Sequence, residues 1–155
     1  MKVTTGEPAP DFSLQDENQI WHRLSEYRGK PLILYFYPKD YTPGCTREAC
    51  GFRDDYSLFE QRGVVILGVS PDPPRSHRKF KEKYNLPFTL LSDPDHQVSE
   101  LYGAWGKKKF LGREFDGILR TTFLIGPDGK LLKVFENVRP AEHSKEILEF
   151  LDSEV

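Results

Sequence analysis

The sequence predicts an α/β fold in which helices flank a central mixed β-sheet. Three observations lead to this prediction. Apolar runs at residues 31–37 and 64–69 alternate with segments of helical periodicity, two further strand patterns flank a tight turn at 126–129, and an amphipathic helix covers 141–151. Strand–helix alternation produces parallel neighbours, whereas a tight turn joins antiparallel strands, so the sheet is expected to be mixed.

The first half of the chain supplies two strand–helix units. Residues 31–37 are apolar and rich in aromatics, as expected of a central strand that is covered on both faces. Apolar side chains then recur every three or four positions over 45–59, which predicts a helix that ends at Gly63. The strand at 64–69 is followed by a charged surface helix at 75–84.

The second half adds a shorter strand and helix and then a hairpin. A short strand is predicted at 88–91, and the acidic residues that follow it offer N-cap chemistry for a helix over 93–102. Residues 103–117 are expected to be irregular. The strands at 121–125 and 130–135 flank a Gly-Pro-Asp-Gly turn and should therefore pair in antiparallel fashion.

Composition sets limits on the class of protein. The chain has 155 residues, of which 37% are hydrophobic, so a single domain over 1–155 can bury roughly 70% of its unfolded surface without disulfides or metals. A net charge of −2 gives no general attraction to nucleic acid or to anionic membranes. The sequence has no signal-peptide pattern and no apolar window near the roughly 20 residues of a membrane span. A cytoplasmic location is therefore expected.

The two cysteines, Cys45 and Cys50, are the most informative residues. Cys45 lies where a loop becomes a helix, and the N-terminus of a helix favours the thiolate form. In an ideal helix two Cα atoms five residues apart are separated by roughly 8.7 Å, whereas a disulfide needs about 7 Å or less. The pair can therefore bond only if the helix unwinds. The other interpretation is that both are buried apolar side chains, and the four scattered histidines do not favour a metal site.

The segment PKDYTPGCTREAC at residues 38–50 resembles the active-site signature of the peroxiredoxins, in the peroxiredoxin Q or bacterioferritin comigratory protein subfamily. Five further segments resemble that subfamily in the same order: 6–14, 76–80, 86–93, 102–106 and 117–125. Together they cover nearly the whole chain. The resemblance implies a thioredoxin-like fold with an N-terminal β extension, and reduction of hydroperoxides without a bound cofactor.

The resemblance also implies roles for individual residues. Cys45 matches the peroxidatic cysteine, Thr42 the threonine that orients thiolate and peroxide, and Arg120 the arginine beside the sulfur. Pro38 matches a proline that shields the pocket, and Glu48 a glutamate that helps to hold the arginine. These roles agree with the chemistry of the side chains, since a guanidinium is always charged and offers several fixed donors to a thiolate and to peroxide oxygens.

The implied reaction is a two-cysteine cycle within one chain. The Cys45 thiolate becomes a sulfenic acid, Cys50 condenses with it to a disulfide, and thioredoxin or glutaredoxin reduces that disulfide. The protein is then an antioxidant thiol peroxidase that can act as a monomer. A redox-sensing interaction protein that uses the same oxidation is the alternative. A thioredoxin-like disulfide oxidoreductase is disfavoured because the sequence has no CxxC motif.

Overall fold

A computed structural model describes residues 3–153 and arranges seven strands in one mixed sheet. Among the described residues the strands are β1 Ser13–Asp16, β2 Trp21–Arg23, β3 Leu32–Phe36, β4 Val65–Ser70, β5 Thr89–Ser92, β6 Trp105–Phe110, β7 Arg113–Ile118, β8 Thr121–Ile125 and β9 Leu131–Phe135. Of these, β6 and β7 lie outside the seven-stranded sheet. The helices are α1 Pro43–Asp54, α2 Tyr56–Gln61, α3 Pro74–Tyr84, α4 Gln97–Leu101 and α5 His143–Ser153. The domain predicted for 1–155 includes residues 1, 2, 154 and 155, which lie outside the described residues.

The order of strands across the sheet is β2-β1-β5-β4-β3-β8-β9. β3 lies near the middle, where it pairs in parallel with β4 and in antiparallel fashion with β8. All five residues of β3 are buried, because its alternate side chains contribute to apolar clusters on opposite faces of the sheet. The predictions of a mixed sheet and a covered central strand are confirmed. The antiparallel β1–β2 hairpin joins β5 at one edge and is the expected N-terminal β extension.

The helix predicted to run from residue 45 to Gly63 is interrupted, so this prediction is wrong in part. α1 ends at Asp54, and the chain departs from helical geometry at Asp55 before α2 begins. The Asp55 carboxylate accepts a hydrogen bond from Ser144 Oγ of α5 at 2.8 Å. This tertiary bond joins α5 to the break, and apolar periodicity carries no signal for it.

The prediction of an irregular stretch over 103–117 is also wrong. β6 and β7 form an antiparallel hairpin outside the main sheet. Leu111 and Gly112 connect them, with φ angles of 52° and 79°, and such a pair of left-handed residues makes the tight turn that hairpins prefer. Leucine rarely adopts this conformation, so the turn has no recognisable sequence signal.

The helix predicted over 93–102 is shorter than expected, because α4 begins at Gln97. The acidic N-terminal chemistry is present, since the Asp93 carboxylate accepts hydrogen bonds from the backbone N–H groups of Ser99 at 2.9 Å and Val98 at 3.3 Å. The antiparallel pairing of β8 with β9 is confirmed. No helix among the residues that the structure describes is long and apolar enough to cross a membrane.

Gly68 allows β4 to pack closely and provides a test of the core. A Cβ atom at this position would lie 2.9 Å from both Leu90 Cδ2 and Tyr35 Oη, so Gly68→Ala is expected to lower the free energy of unfolding by about 1 to 3 kcal/mol. Gly51→Ala is the matched control, because a Cβ there meets only Ser144 Oγ at 3.5 Å. The control should be neutral or stabilise α1 by up to about 1 kcal/mol. Urea unfolding compares the two, and equal stability of both variants would contradict this packing.

Candidate active site

The loop after β3 leads directly into the first turn of α1, where Cys45 lies. Thr42 is the N-cap and Pro43 the first helical residue, a position that proline favours because it needs no N–H donor there. The Thr42 hydroxyl donates to the carbonyl oxygen of Lys39 at 2.9 Å, which leaves its oxygen free to accept a hydrogen bond from a bound molecule. Cys45 is the third residue of α1 and is only 1% exposed, so its sulfur lies close to the positive end of the helix.

Sheet pairing brings Arg120 to this helix. Thr121, at the start of β8, lies opposite Phe36, at the end of β3, so the residue before β8 lies beside the loop that follows β3. Arg120 Nη2 lies 3.3 Å from Cys45 Sγ, and Nη1 donates to Glu48 Oε1 at 2.8 Å. One guanidinium therefore bridges the sulfur and the carboxylate.

Glu48 lies one helical turn beyond Cys45 and faces the same side of α1. It is 1% exposed, and its Oε2 atom has no hydrogen-bond partner among the described residues. Burial raises the pKa of the Glu48 carboxyl to about 7, although the charge and the hydrogen bond of Arg120 oppose this rise. A buried carboxylate at this position orients the guanidinium at an electrostatic cost to the fold.

The two contacts of Arg120 favour its charged form. Burial lowers the pKa of the guanidinium, but Glu48 and Cys45 more than offset that effect and raise it above its ordinary value. A permanent positive charge with fixed donors 3.3 Å from the sulfur stabilises negative charge there. The arrangement can therefore hold a thiolate and, beside it, a polar substrate atom.

Gly44 is a further part of the site, and its role was not predicted from the sequence. A Cβ atom on Gly44 would lie 3.3 Å from Arg120 Nη2 and 3.7 Å from Pro140 Cγ. The distance to the guanidinium is shorter than an ordinary van der Waals contact. The absence of a side chain at Gly44 allows Arg120 to approach the start of α1, and a glycine between a proline and a cysteine was the only signal that could have indicated it.

A cavity of about 350 Å³ adjoins Arg120. Its lining residues are Gly103, Lys108, Leu119, Arg120, Thr121, Glu136, Asn137 and Val138. Burial and the nearby charge of Arg120 both lower the pKa of Lys108, and Cys45 opposes them. Lys108 belongs to β6 of the β6–β7 hairpin, in the stretch predicted to be irregular.

The remaining predicted site residues are not part of the bridge. Pro38 and Thr42 are half-buried and belong to the same loop. Cys50 is also half-buried, lies further along α1 and is a free thiol like Cys45. Burial raises the pKa of the Cys50 thiol, with Arg53 opposing and Asp54 adding to the effect.

Comparison with known proteins agrees with this geometry. Residues 5–134 match the AhpC/TSA family. The chain is 48% identical over 151 residues to peroxiredoxin Bcp of Bacillus subtilis, covering 97% of this chain and 96% of that protein. It is 46% identical over 149 residues to peroxiredoxin Bcp of Escherichia coli K12, covering 96% of each. A structure of Xanthomonas campestris peroxiredoxin Q superposes with a TM-score of 0.90 at 32% identity and covers 100% of both chains.

The fold and the site together define a thiol peroxidase with a thioredoxin-like fold, in which an arginine lies beside a helix-borne cysteine. The chain belongs to the AhpC/TSA family, and its relatives at 46% and 48% identity are peroxiredoxins of the Bcp type. The fold and the family that the sequence predicts are thereby confirmed.

The raised pKa of Glu48 predicts a pH-dependent effect on stability. The folded-state pKa of about 7 lies above the ordinary 4.5, so the protonated group stabilises the fold at low pH, and this contribution is lost as the pH rises through the folded-state pKa. Glutamine does not titrate, so the Glu48→Gln variant does not lose this stabilising contribution as the pH rises. From about pH 5 to about pH 8, the free energy of unfolding of the variant should rise by about 2 to 3 kcal/mol relative to the parent protein. Urea unfolding across this range measures the difference, and a pH-independent difference would contradict the account.

Proposed function

We propose that this protein reduces hydrogen peroxide and organic hydroperoxides at Cys45, that Cys50 resolves the oxidised cysteine, and that thioredoxin or glutaredoxin reduces the resulting disulfide. The observation that carries the proposal is the Arg120 bridge, in which one guanidinium lies 3.3 Å from Cys45 Sγ and 2.8 Å from Glu48 Oε1. This cation beside the sulfur suits both a thiolate and the charge that develops on a peroxide oxygen.

In the first step the Cys45 thiolate attacks one oxygen of the hydroperoxide. The O–O bond breaks, an S–O bond forms, and the sulfur is oxidised to sulfenic acid while the peroxide is reduced. The leaving oxygen departs as hydroxide or alkoxide and takes a proton from solvent to become water or an alcohol. Arg120 stabilises the negative charge as it moves from sulfur to the leaving oxygen, and the Thr42 hydroxyl oxygen accepts the hydrogen bond of the attacked O–H group.

In the second step the Cys50 sulfur attacks the sulfenic acid, which releases water and forms a disulfide. Both cysteines belong to α1, and an intact helix holds residues five apart at roughly 8.7 Å between Cα atoms. A disulfide needs about 7 Å or less, so the first turns of α1 unwind before the bond forms. Burial raises the pKa of the Cys50 thiol and so disfavours its thiolate, whereas Cys45 has Arg120 Nη2 3.3 Å from its sulfur, so Cys45 is the cysteine expected to react with peroxide first.

In the third step an external dithiol reduces the Cys45–Cys50 disulfide by thiol exchange and is itself oxidised. One chain supplies both cysteines, so the cycle requires no second subunit and a monomer is sufficient. A reducing cytoplasm is a suitable location for the cycle. These points support thioredoxin or glutaredoxin as the partner and antioxidant defence as the role.

The cavity beside Arg120 supports organic hydroperoxides as substrates. Its volume of about 350 Å³ and the side chains of Leu119 and Val138 leave room for an apolar group next to the guanidinium. A bacterioferritin comigratory protein of Xanthomonas campestris, with a TM-score of 0.90 and 32% identity to this chain, is described as having alkyl peroxide reduction activity. We infer the same substrate class for this protein.

The two cysteines can be separated by matched substitutions. One equivalent of peroxide should convert the protein to an intramolecular disulfide with a loss of about 2 Da, and Cys45→Ser should abolish both this change and turnover. Cys50→Ser should leave the first oxidation intact, stop recycling and favour overoxidation of Cys45. Intact mass spectrometry, together with NADPH consumption coupled to thioredoxin and its reductase, measures each step.

Full turnover by Cys45→Ser would contradict the role of Cys45, and unchanged turnover by Cys50→Ser would contradict that of Cys50. Sustained NADPH consumption also separates an enzyme from a redox sensor, since a sensor is oxidised once and then shows little flux. Replacing thioredoxin with a glutaredoxin and glutathione in the same assay identifies the reductant.

A further inference from the structure

A buried polar cluster joins the loop before α1 to α3. Asp40, in that loop, is 3% exposed, and its Oδ1 accepts a hydrogen bond from Tyr37 Oη at 2.6 Å. Its Oδ2 accepts from Ser76 Oγ at 2.8 Å and lies 2.8 Å from Nδ1 of His77. The backbone N–H of Asp40 donates to Asp72 Oδ2 at 2.7 Å. Four groups therefore fix this one residue.

The hydrogen bonds of His77 determine how many protons the cluster holds. His77 is fully buried, and its Nε2 lies 2.9 Å from the carbonyl oxygen of Leu91. A carbonyl oxygen only accepts, so Nε2 carries a hydrogen. The Nδ1···Oδ2 contact with Asp40 then requires a second proton, which is held on one atom or the other. The contact between Asp40 and His77 joins the loop to α3. Both side chains are buried too deeply for water molecules to take their place as hydrogen-bond partners.

The residue after Asp40 has an unfavourable backbone conformation. Tyr41 has a φ angle of 68°, in the left-handed region, which costs a residue with a side chain about 1 to 2 kcal/mol. Such residues persist where the surroundings hold them firmly. The Tyr41 ring packs edge-on against Phe80 of α3 at 5.2 Å between centroids. α3 therefore holds both of the residues that precede Thr42.

We propose that Asp40 and His77 are positioning residues, which hold the loop so that the Thr42 hydroxyl lies correctly for a peroxide bound beside Cys45 and Arg120. The left-handed turn at Tyr41 directs the chain from its anchored part into the N-cap of α1, and the anchor maintains that turn. This inference rests on the proposed function of Cys45. It adds that α3, which supplies none of the groups in contact with the sulfur, governs how fast peroxide reacts.

Asp40→Ala removes the anchor and tests this proposal. The second-order rate constant for oxidation of Cys45 by hydrogen peroxide, measured by quenched flow and mass spectrometry, should fall at least about tenfold, as expected when a catalytic group is misplaced. Alkylation of Cys45 by iodoacetamide uses the thiolate but not the peroxide-orienting loop, so its rate should stay the same or rise. Near-UV circular dichroism establishes that the variant is folded under the assay conditions.

Asp40→Asn is the conservative variant. Its amide can donate one hydrogen to a neutral His77 at Nδ1 and the other to Ser76 Oγ, while its oxygen accepts from Tyr37. It should therefore react with peroxide within about threefold of the parent rate, because geometry and not charge positions the loop. A loss in Asp40→Asn as large as that in Asp40→Ala would overturn the proposal.

Glu17→Ala is the matched control. Glu17 is 4% exposed and accepts from Lys81 of α3 at 2.9 Å, so its loss also perturbs α3 but does not touch the loop. Its peroxide rate should remain within about threefold of the parent rate. A fall as large as that of Asp40→Ala would mean that any perturbation of α3 slows the reaction, and would overturn the proposal.

If Asp40→Ala does not fold, Tyr37→Phe takes its place, because it deletes only the hydroxyl that donates to Asp40. The peroxide rate should then fall at least about threefold with the alkylation rate retained, and an unchanged peroxide rate would overturn the proposal.

The parent protein separates the two proposals. If its Cys45 is not oxidised by peroxide, the proposed function fails; if Cys45 is oxidised and folded Asp40→Ala reacts equally fast, only the positioning role fails.

Discussion

The contact of one guanidinium with a sulfur and a carboxylate is the interaction on which the rest of the site depends. The antiparallel pairing of β8 with β3 brings Arg120 to the start of α1, and Gly44 leaves space for it. Glu48 and Cys45 are both acids that face the same cation. Burial of the Glu48 carboxyl outweighs the charge and the hydrogen bond of Arg120, which explains why Glu48 remains difficult to ionise. The buried Glu48 carboxylate has an electrostatic cost for the fold, but it orients Arg120 beside the Cys45 sulfur.

α1 has to satisfy two opposing requirements in the proposed cycle. Attack on peroxide needs an intact first turn, whereas disulfide formation needs that turn to unwind. The end of α1 is held by Phe52 in the core and by the hydrogen bond between Ser144 and Asp55, so the proposed cycle predicts that unwinding occurs in the first turns. Oxidation itself favours the change, since a thiolate that becomes a neutral sulfenic acid loses much of its attraction to Arg120. The chemical step thereby weakens the contact that kept Cys45 in place.

Much of the fold could be predicted because buried strands leave continuous apolar runs, as at β3 and β4, and amphipathic helices leave a helical periodicity, as at α3. The β6–β7 hairpin could not, because its turn uses a left-handed leucine. Within the site, Cys45 was recognisable from its position at the start of a helix. Arg120 lies 75 positions away from it in the chain, and only the resemblance to a family connected the two. Asp40 and His77 were not identified, because buried polar networks depend on tertiary contacts that have no periodicity in the sequence.

The most direct test of the account is the rate of Cys45 oxidation in Arg120→Lys. Lysine keeps the positive charge but has one ammonium group in place of a planar fork, so it cannot hold Cys45 and Glu48 together in the same geometry. The account predicts that the second-order rate constant with hydrogen peroxide falls by about a hundredfold, the typical loss for removing a preorganised donor, while the variant remains folded. A rate equal to that of the parent protein would show that charge alone is sufficient and would contradict the central role of the bridge.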